Sequence, residues 1–458
     1  MKNFDITLRP YWGDDTVTQM DIEMSVPAGF EQENQSVLHY PNQAFGGRVP
    51  FPDYTNLILY DELGEIPYYV DDTPTINYHM TYKGIYVKRN LAGMLSWKYR
   101  IFPRILPEKY SSSPYYDFRN EPFGLNGSGY FAFILPNCEE ELNVTLNWDL
   151  SWMPQDARAI WSYGEGDVSR KLKAQEVAHT MFQVGVMNAV ENDSFGVYWF
   201  GNPDFDIASV ARKIMPIFDY MKDFFKNSEA NFKVFLRRDP FKNSGGGSAC
   251  PYAFISGYSA WGKVDLDQWF NVLVHEMVHT WIHMEGGDNE NVTWFNEGAT
   301  EYYCTMIPFW GGFLDAEYIA SVINDKVNPY YHNIYRETDN QEIVKIQWQD
   351  LRAQVIPYGR GFLYLASVEA KLRKANKGSI NDIIVSSTDM PVLTVERWKI
   401  FIKEKLGDSG LADFEDMKAG KLIIPESNLF GEEFEMIEKQ IELDGRKTVA
   451  YQWKVKCK

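Results

Sequence analysis

Basic charge, histidine, paired cysteines and long apolar runs are all scarce in this sequence, and each scarcity excludes something. Lysine and arginine total 45 against 63 aspartates and glutamates, so the 458-residue chain carries a formal charge of −18. That balance lacks the basic footprint of a nucleic-acid binder and opposes docking on an anionic membrane; its ordinary consequence is solubility. The four cysteines, Cys138, Cys250, Cys304 and Cys457, are scattered with no C-x-x-C pair. They argue against a disulfide framework or a thiolate metal site and fit the reduced thiols of an intracellular protein. No apolar run reaches the length of a membrane span. The opening MKNFDITLRPYWGDD has no apolar core of the kind a secretory signal needs. Without secretion, the sequons headed by Asn143 and Asn291 carry no meaning. The expectation is a soluble, cytoplasmic chain with neither nucleic acid nor membrane among its partners; nothing sets an oligomeric state.

What is present is ample material for cores: 45% of residues are hydrophobic and 16% aromatic. The length suggests two or three domains. Through the first 170 residues, short alternating runs (TQMDIEMSV, NLILY, GIYVK, LSWKYRIF, GYFAFILP, LNVTLNWDL) are separated by Gly, Pro, Asn and Asp clusters. That pattern predicts an antiparallel β-sandwich or saddle. KLKAQEVAHTMFQVGVMNAV and SFGVYWFG read as further strands or connections. From Asp206 the pattern turns helical in IASVARKIMPIFDYMKDFF. KVFLRR follows as a strand, and SGGGSACPYAFISGYSAW as a Gly-rich loop leading into another strand. DQWFNVLVHEMVHTWIHME reads as one long helix, with Asp265 or Asp267 as its N-cap and Gly286-Gly287 as its stop. WFNEGATEYYCTMI is a second helix. The remainder is mainly helical to about residue 420, and the tail can end as a strand pair around Asp444-Gly445. The fold class is therefore α+β. The expected divisions are 1–170 for the β domain, 171–305 for a lobe carrying the histidine-rich helix, and 306–458 for a helical lobe.

HEMVH places His275 and His279 four residues apart, on one helix face and one turn apart, where both can bind one ion. Glu276 beside them can reach a metal-bound water. The bland alternative is two partly buried histidines on an amphipathic helix, so a third ligand decides. His283 lies one turn further, but three ligands in a straight row span about 12 Å of helix, too far for one ion. It is assigned to packing or solvent. The next helix offers Glu297 and Glu301. A helix–turn–helix can return Glu297 to the histidine face. Glu301 can accept a hydrogen bond from a ligand histidine, or simply be a solvated helix charge.

HEMVHTW followed by WFNEGATEYY resembles the gluzincin metallopeptidases, most closely the glycyl aminopeptidase family and the related aminopeptidase N family. Those carry H-E-x-x-H-x-W and then W-x-x-E-G-x-x-x-Y. The resemblance puts the third zinc ligand on Glu297, leaving His275 and His279 as the others and Glu276 as general base. VIPYGRGF at 355–362 resembles the P-Y-E-K-G-F segment, which places the oxyanion-donating tyrosine on Tyr358, with Gly359 and Arg360 in place of the usual Glu and Lys. The implied plan is an N-terminal β domain, a thermolysin-like catalytic domain and a helical lobe, holding one Zn²⁺ per chain. The tail after Gly420 is too short for the PDZ-like module that many members carry. The implied activity is a peptidase acting on peptide or protein substrates, by family default an aminopeptidase for small N-terminal residues.

One segment departs from the pattern. Where the relatives read G-G-M-E-N-P, this chain reads Gly246-Gly247-Ser248-Ala249-Cys250-Pro251. Ala249 stands where a glutamate would pair with the substrate's free amine. Either another acid, such as Asp239 or a carboxylate from the helical lobe, replaces it, or the enzyme is an endopeptidase with an open cleft, or it acts on an unusual amide; a non-catalytic peptide-binding protein is the remaining alternative. Gly246, Gly247, Ser248 and Ala249 stay substrate-binding candidates, because glycine lets a substrate backbone approach closely.

Overall fold

The computed structural model describes the chain except residues 31–34, 45–46, 49–55, 72–74, 78–79, 106–115, 241–244, 261–262, 287–291, 348, 389–391 and 457–458. It forms two compact units, one of Met1–Met215 with Asn231–Leu266 and one of Pro216–Ala230 with Asp267–Lys458. The expected divisions at 170 and 305 fall inside the strand Val168–Lys173 and inside the helix Thr293–Trp310. Both elements continue their hydrogen bonding across those points, so neither point is a linker.

In the first unit the period-2 pattern does what it predicts. Phe4, Ile6 and Leu8 of the strand Asn3–Gly13 are fully buried, and Met20, Ile22, Met24 and Val26 of Thr16–Pro27 share that face. These two strands sit in a seven-stranded sheet with Glu141–Trp148, Val168–Lys173, Met94–Ile101, Ile58–Asp61 and Gly64–Glu65. Its pairs are antiparallel except Asn3–Gly13 with Glu141–Trp148, which is parallel. GYFAFILP, expected as a strand, is instead a single helical turn, Gly129–Ala132, before the short strand Leu135–Pro136. Every residue from Gly129 to Leu135 is buried, so the run shows no alternation, and a continuous apolar run does not by itself distinguish strand from helix.

A mixed five-stranded sheet closes this unit, in the order Met187–Glu191, Phe195–Phe200, Phe232–Asp239, Ala253–Ser259, Gly245–Cys250. Its three middle strands run parallel, and Phe195–Phe200 is buried at every position, as a strand covered on both faces must be. The Gly-rich segment expected to be a loop is its edge strand, paired antiparallel with Ala253–Ser259 through a two-residue turn at Pro251-Tyr252, where Tyr252 has φ 63°. Gly247 allows this pairing, because a Cβ there would run into the ring of Phe254 and the carbonyl of Ile255.

The second unit is helical. The histidine-bearing helix is Leu266–Val278, beginning directly after Asp265 as expected but stopping well before Gly286. Gly287 lies outside the described residues. Past Val278 the chain continues in tight turns, with Thr280 N donating to the Met277 carbonyl and Trp281 N to the Val278 carbonyl. Further on, Asn296 Oδ1 accepts from the Met284 backbone N–H at 2.7 Å, Asn296 Nδ2 donates to the Met284 carbonyl at 3.2 Å, and Glu285 N donates to the Leu393 carbonyl at 2.8 Å, so the segment up to Gly286 is held by tertiary contacts and not by helix. The helices Thr293–Trp310, Ala316–Tyr331, Ile356–Ala375 and Val395–Lys418 follow. The tail is a hairpin of Phe434–Leu443 and Arg446–Val455, turning at Asp444-Gly445 with φ 50° and 73°, the pair of positive angles that a two-residue hairpin turn requires.

Candidate metal centre

Two helices of the second unit build the site, and a glycine sets how close a third comes to it. A Cβ on Gly298 would stand 2.6 Å from the Cα and carbonyl carbon of Gly361, and a Cβ on Gly361 would strike the Trp294 carbonyl oxygen. The helices Thr293–Trp310 and Ile356–Ala375 therefore touch backbone to backbone. That contact lies one residue from Glu297 and three from Tyr358, and Tyr358 makes a hydrogen bond with Glu297. The Tyr358 ring also lies near-parallel to His275, centroids 6.3 Å apart.

The donor atoms converge. His275 Nε2 is 3.2 Å from His279 Nε2 and 3.4 Å from Glu297 Oε2, and His279 Nε2 is 3.7 Å from Glu297 Oε2. Donors about 2.0–2.2 Å from a tetrahedral zinc stand roughly 3.3–3.6 Å from one another. The three side chains therefore fit one such ion, with a fourth position free of protein ligands in the set.

Each imidazole is held by its other nitrogen. His275 Nδ1 lies 3.4 Å from Glu301 Oε1. Buried Thr300 donates its hydroxyl proton to the Asn296 carbonyl at 2.7 Å, which leaves its oxygen to accept from His279 Nδ1 at 3.3 Å. Both contacts put the ring proton on Nδ1 and turn the Nε2 lone pairs toward Glu297. Glu301 also ion-pairs with Lys326 from the helix Ala316–Tyr331.

The electrostatics call for a cation. Burial works to raise the Glu297 carboxyl, but hydrogen bonds and charge from His275 and His279 outweigh it and hold it well below its usual range. Burial likewise opposes ionisation of Glu301, and the charges of Lys326 and His275 bring it down to about 2. His275 is pushed well above the ordinary imidazole range: burial lowers it, and Glu301, Cys304 and Glu297 together more than reverse that. Without a metal, a proton on the ring supplies the positive charge the carboxylates attract. Glu276 is raised, first by burial and then by Glu297 and Glu301, with the two imidazoles opposing. Burial, followed by the carboxylates, raises Tyr358 far above an ordinary phenol, so its hydroxyl remains a neutral donor.

Of the residues expected from sequence, the structure brings together His275, His279, Glu297, Glu301, Glu276 and Tyr358. His283 lies outside the helix, is 67% exposed, and faces Glu285 at 3.6 Å. Gly246, Gly247, Ser248 and Ala249 lie in the first unit, on the edge strand. Asp239, a suggested replacement for the missing amine anchor, is fully buried and paired with Arg119 at 2.6 Å and Arg237 at 3.2 Å. Arg360, in place of the relatives' lysine, is structural: it is fully buried and donates to the Arg336 carbonyl at 3.0 Å and the Thr338 carbonyl at 2.7 Å. Sequence reasoning missed Thr300 and Lys326. Thr300 had a signal, since it lies three residues after Glu297 on the same helix; Lys326 had none, being one lysine among many on a different helix.

The architecture, several sheets followed by a helical C-terminal part, is similar to that of solved M1 zinc metallopeptidases. No protein-family model and no curated protein matches the sequence. Among solved structures, the chain is similar to an aminopeptidase N family protein from Idiomarina loihiensis, with a TM-score of 0.69 and 13% identity over 97% of this chain and 81% of that one. It is similar to an M1 zinc metallopeptidase mutant from Deinococcus radiodurans bound to a Tyr-Ser-Ala substrate, with a TM-score of 0.53 and 13% identity over 93% and 94% of the two chains. It is also similar to leukotriene A4 hydrolase from Saccharomyces cerevisiae, with a TM-score of 0.54 and 12% identity over 92% of this chain and 68% of that one.

Proposed function

We propose that this chain is a zinc-dependent peptidase, with His275, His279 and Glu297 as the metal ligands. The observation that carries the reading is the convergence of three donor atoms at 3.2–3.7 Å with both imidazoles oriented from behind. Bound Zn²⁺ would supply a Lewis acid for the scissile carbonyl and an acidified water. Glu276 takes the proton of the attacking water and delivers it to the leaving amine, a task suited to a buried carboxylate with a raised proton affinity. Tyr358, a neutral donor at any physiological pH, stabilises the oxyanion. The part of the chain that carries these residues is then the thermolysin-like catalytic lobe, with the β-rich part before it in sequence and the mainly helical part after it. The cytoplasmic setting stays part of the proposal; Cys138, Cys250 and Cys304 are free thiols.

The substrate is a peptide, and the likeness to an enzyme solved with Tyr-Ser-Ala supports this. Aminopeptidase action on small N-terminal residues is the first reading. Endopeptidase action is the second, favoured by one observation: Ala249 has no carboxylate, and Asp239 is already committed to two arginines. Gly246, Gly247, Ser248 and Ala249 remain the substrate-binding segment in either case. Among the described residues Gly245–Cys250 pairs with Ala253–Ser259 on one side, and an edge strand of this kind can pair with an extended peptide on the other. The Ala249 carbonyl is already taken by the Tyr116 hydroxyl.

A fluorogenic peptide series with free and acetylated amino termini, with and without chelator, tests the reading. Chelator-sensitive cleavage of the free forms alone establishes an aminopeptidase whose amine anchor is neither Ala249 nor Asp239. Equal cleavage of both forms establishes an endopeptidase. No cleavage by zinc-loaded protein refutes the reading for ordinary peptides and leaves a narrow substrate such as an unusual amide, or a binding protein.

A further inference from the structure

His275 belongs to two sets of metal-ligating groups. Through Nε2 it faces His279 and Glu297. On its other side Glu301 and Cys304 gather around it, and these three side chains also place one donor atom each within 4.8 Å of one another. Glu301 Oε1 is 3.4 Å from His275 Nδ1, and Cys304 Sγ is 3.8 Å from Glu301 Oε2. Cys304 is buried, with its thiol donating to the Glu301 carbonyl at 3.4 Å. A nitrogen, a carboxylate and a sulfur gathered within 4.8 Å are a donor set that zinc or another thiophilic ion can take. Left to itself, the imidazole could coordinate from either nitrogen.

What stands in the second set is the Lys326 ammonium, which reaches Glu301 Oε2 from the helix Ala316–Tyr331. It is 82% covered at its side chain, and Glu301 is 87% covered, given exposures of 18% and 13%. We infer that Lys326 is a positioning residue that decides which nitrogen of His275 takes the metal: its fixed positive charge fills the Glu301–Cys304 side and keeps Glu301 as an acceptor for Nδ1–H, leaving Nε2 for the ion. The inference rests on the zinc reading above. It also explains why a lysine is buried there, since a carboxylate at this depth without a counter-ion would recruit a cation of its own.

The test strips the full-length protein with chelator and titrates it with Co²⁺ and with Zn²⁺, reading affinity by chelator competition and ligand type by the absorption spectrum of the cobalt form. Wild type and Lys326→Arg bind one ion with no thiolate-to-cobalt charge-transfer band. Lys326→Met binds about 10–100-fold more weakly at the histidine–glutamate site, the cost of losing an outer partner of a ligand. It also acquires a thiolate-to-cobalt band as the Cys304 proton is released to solvent and sulfur bonds the ion. Adding Cys304→Ser abolishes the band. If Lys326→Met fails to fold, Lys326→Met with Glu301→Gln removes both charges and leaves no bare carboxylate; metal affinity still falls at least tenfold. Wild-type affinity in either variant, or a Lys326→Met spectrum identical to wild type, overturns the inference. Wild-type protein that binds neither ion refutes the zinc reading instead, so the two failures are distinct.

Discussion

Gly298→Ala turns the closeness of the helices into a measurable quantity. In an exposed helix this change stabilises by about 0.8–1 kcal/mol, because alanine is the better helix former. Here the new Cβ would lie 2.6 Å from two backbone carbons of Gly361 and 2.9 Å from the Phe362 nitrogen. Backbone cannot rotate aside, and carbon atoms pack at about 3.5–4.0 Å, so the helices Thr293–Trp310 and Ile356–Ala375 must separate by roughly 1 Å. Overpacking costs about 1–3 kcal/mol; at a backbone contact the upper end applies. Subtracting the propensity gain leaves a net loss of about 2 kcal/mol. The separation falls between Glu297 and Tyr358, and a displacement of about 1 Å in a catalytic constellation can cost roughly a hundredfold in rate. Denaturant unfolding followed by fluorescence, together with peptide hydrolysis at saturating metal, measures both. A variant as stable as wild type, or more so, with an unchanged rate refutes the claim that this glycine sets the geometry.

Glu276→Gln keeps the metal and loses nearly all turnover; metal content by emission spectroscopy and rates on the same sample check this, and retained activity removes Glu276 from the mechanism. Tyr358→Phe leaves metal bound and lowers kcat by about a hundredfold or more, the range found for a lost oxyanion donor; an unchanged rate removes that role. Thr300→Val frees the His279 ring and weakens zinc binding about tenfold or more in a chelator competition, while Thr300→Ser restores it. His39 gives a pH prediction. Burial, only partly opposed by a hydrogen bond to Gln175, lowers its pKa to about 4 in the folded protein. The unfolded chain therefore takes up a proton near pH 6.5 while the folded one does not, so stability is full above that pH and falls as pH drops toward 4. The loss is at most about 3 kcal/mol, and urea midpoints of His39→Gln should be flatter than wild type across that window.

The sequence by itself determined whatever is written as a local period. The alternation in Asn3–Gly13 and Thr16–Pro27 buries one face without reference to anything distant, and the four-residue spacing puts His275 and His279 on one side of one turn. The Asp444-Gly445 turn is equally local, since its two positive φ angles need only these two residue types. Glu297 was legible because its motif is short and its helix follows closely. Tertiary structure decided the rest. Whether a glycine-rich run is loop or edge strand depends on a neighbour that donates and accepts hydrogen bonds, and Ala253–Ser259 is that neighbour. The helix carrying His275 gives way to turns after Val278, one residue before His279, and Asn296 and Leu393 then hold the backbone of Met284 and Glu285. Lys326 reaches Glu301, and Asp239 is lost to Arg119 and Arg237, only because separate segments are brought into contact. Burial makes a single counter-charge decisive, and burial belongs to the folded chain, not to any stretch of its sequence.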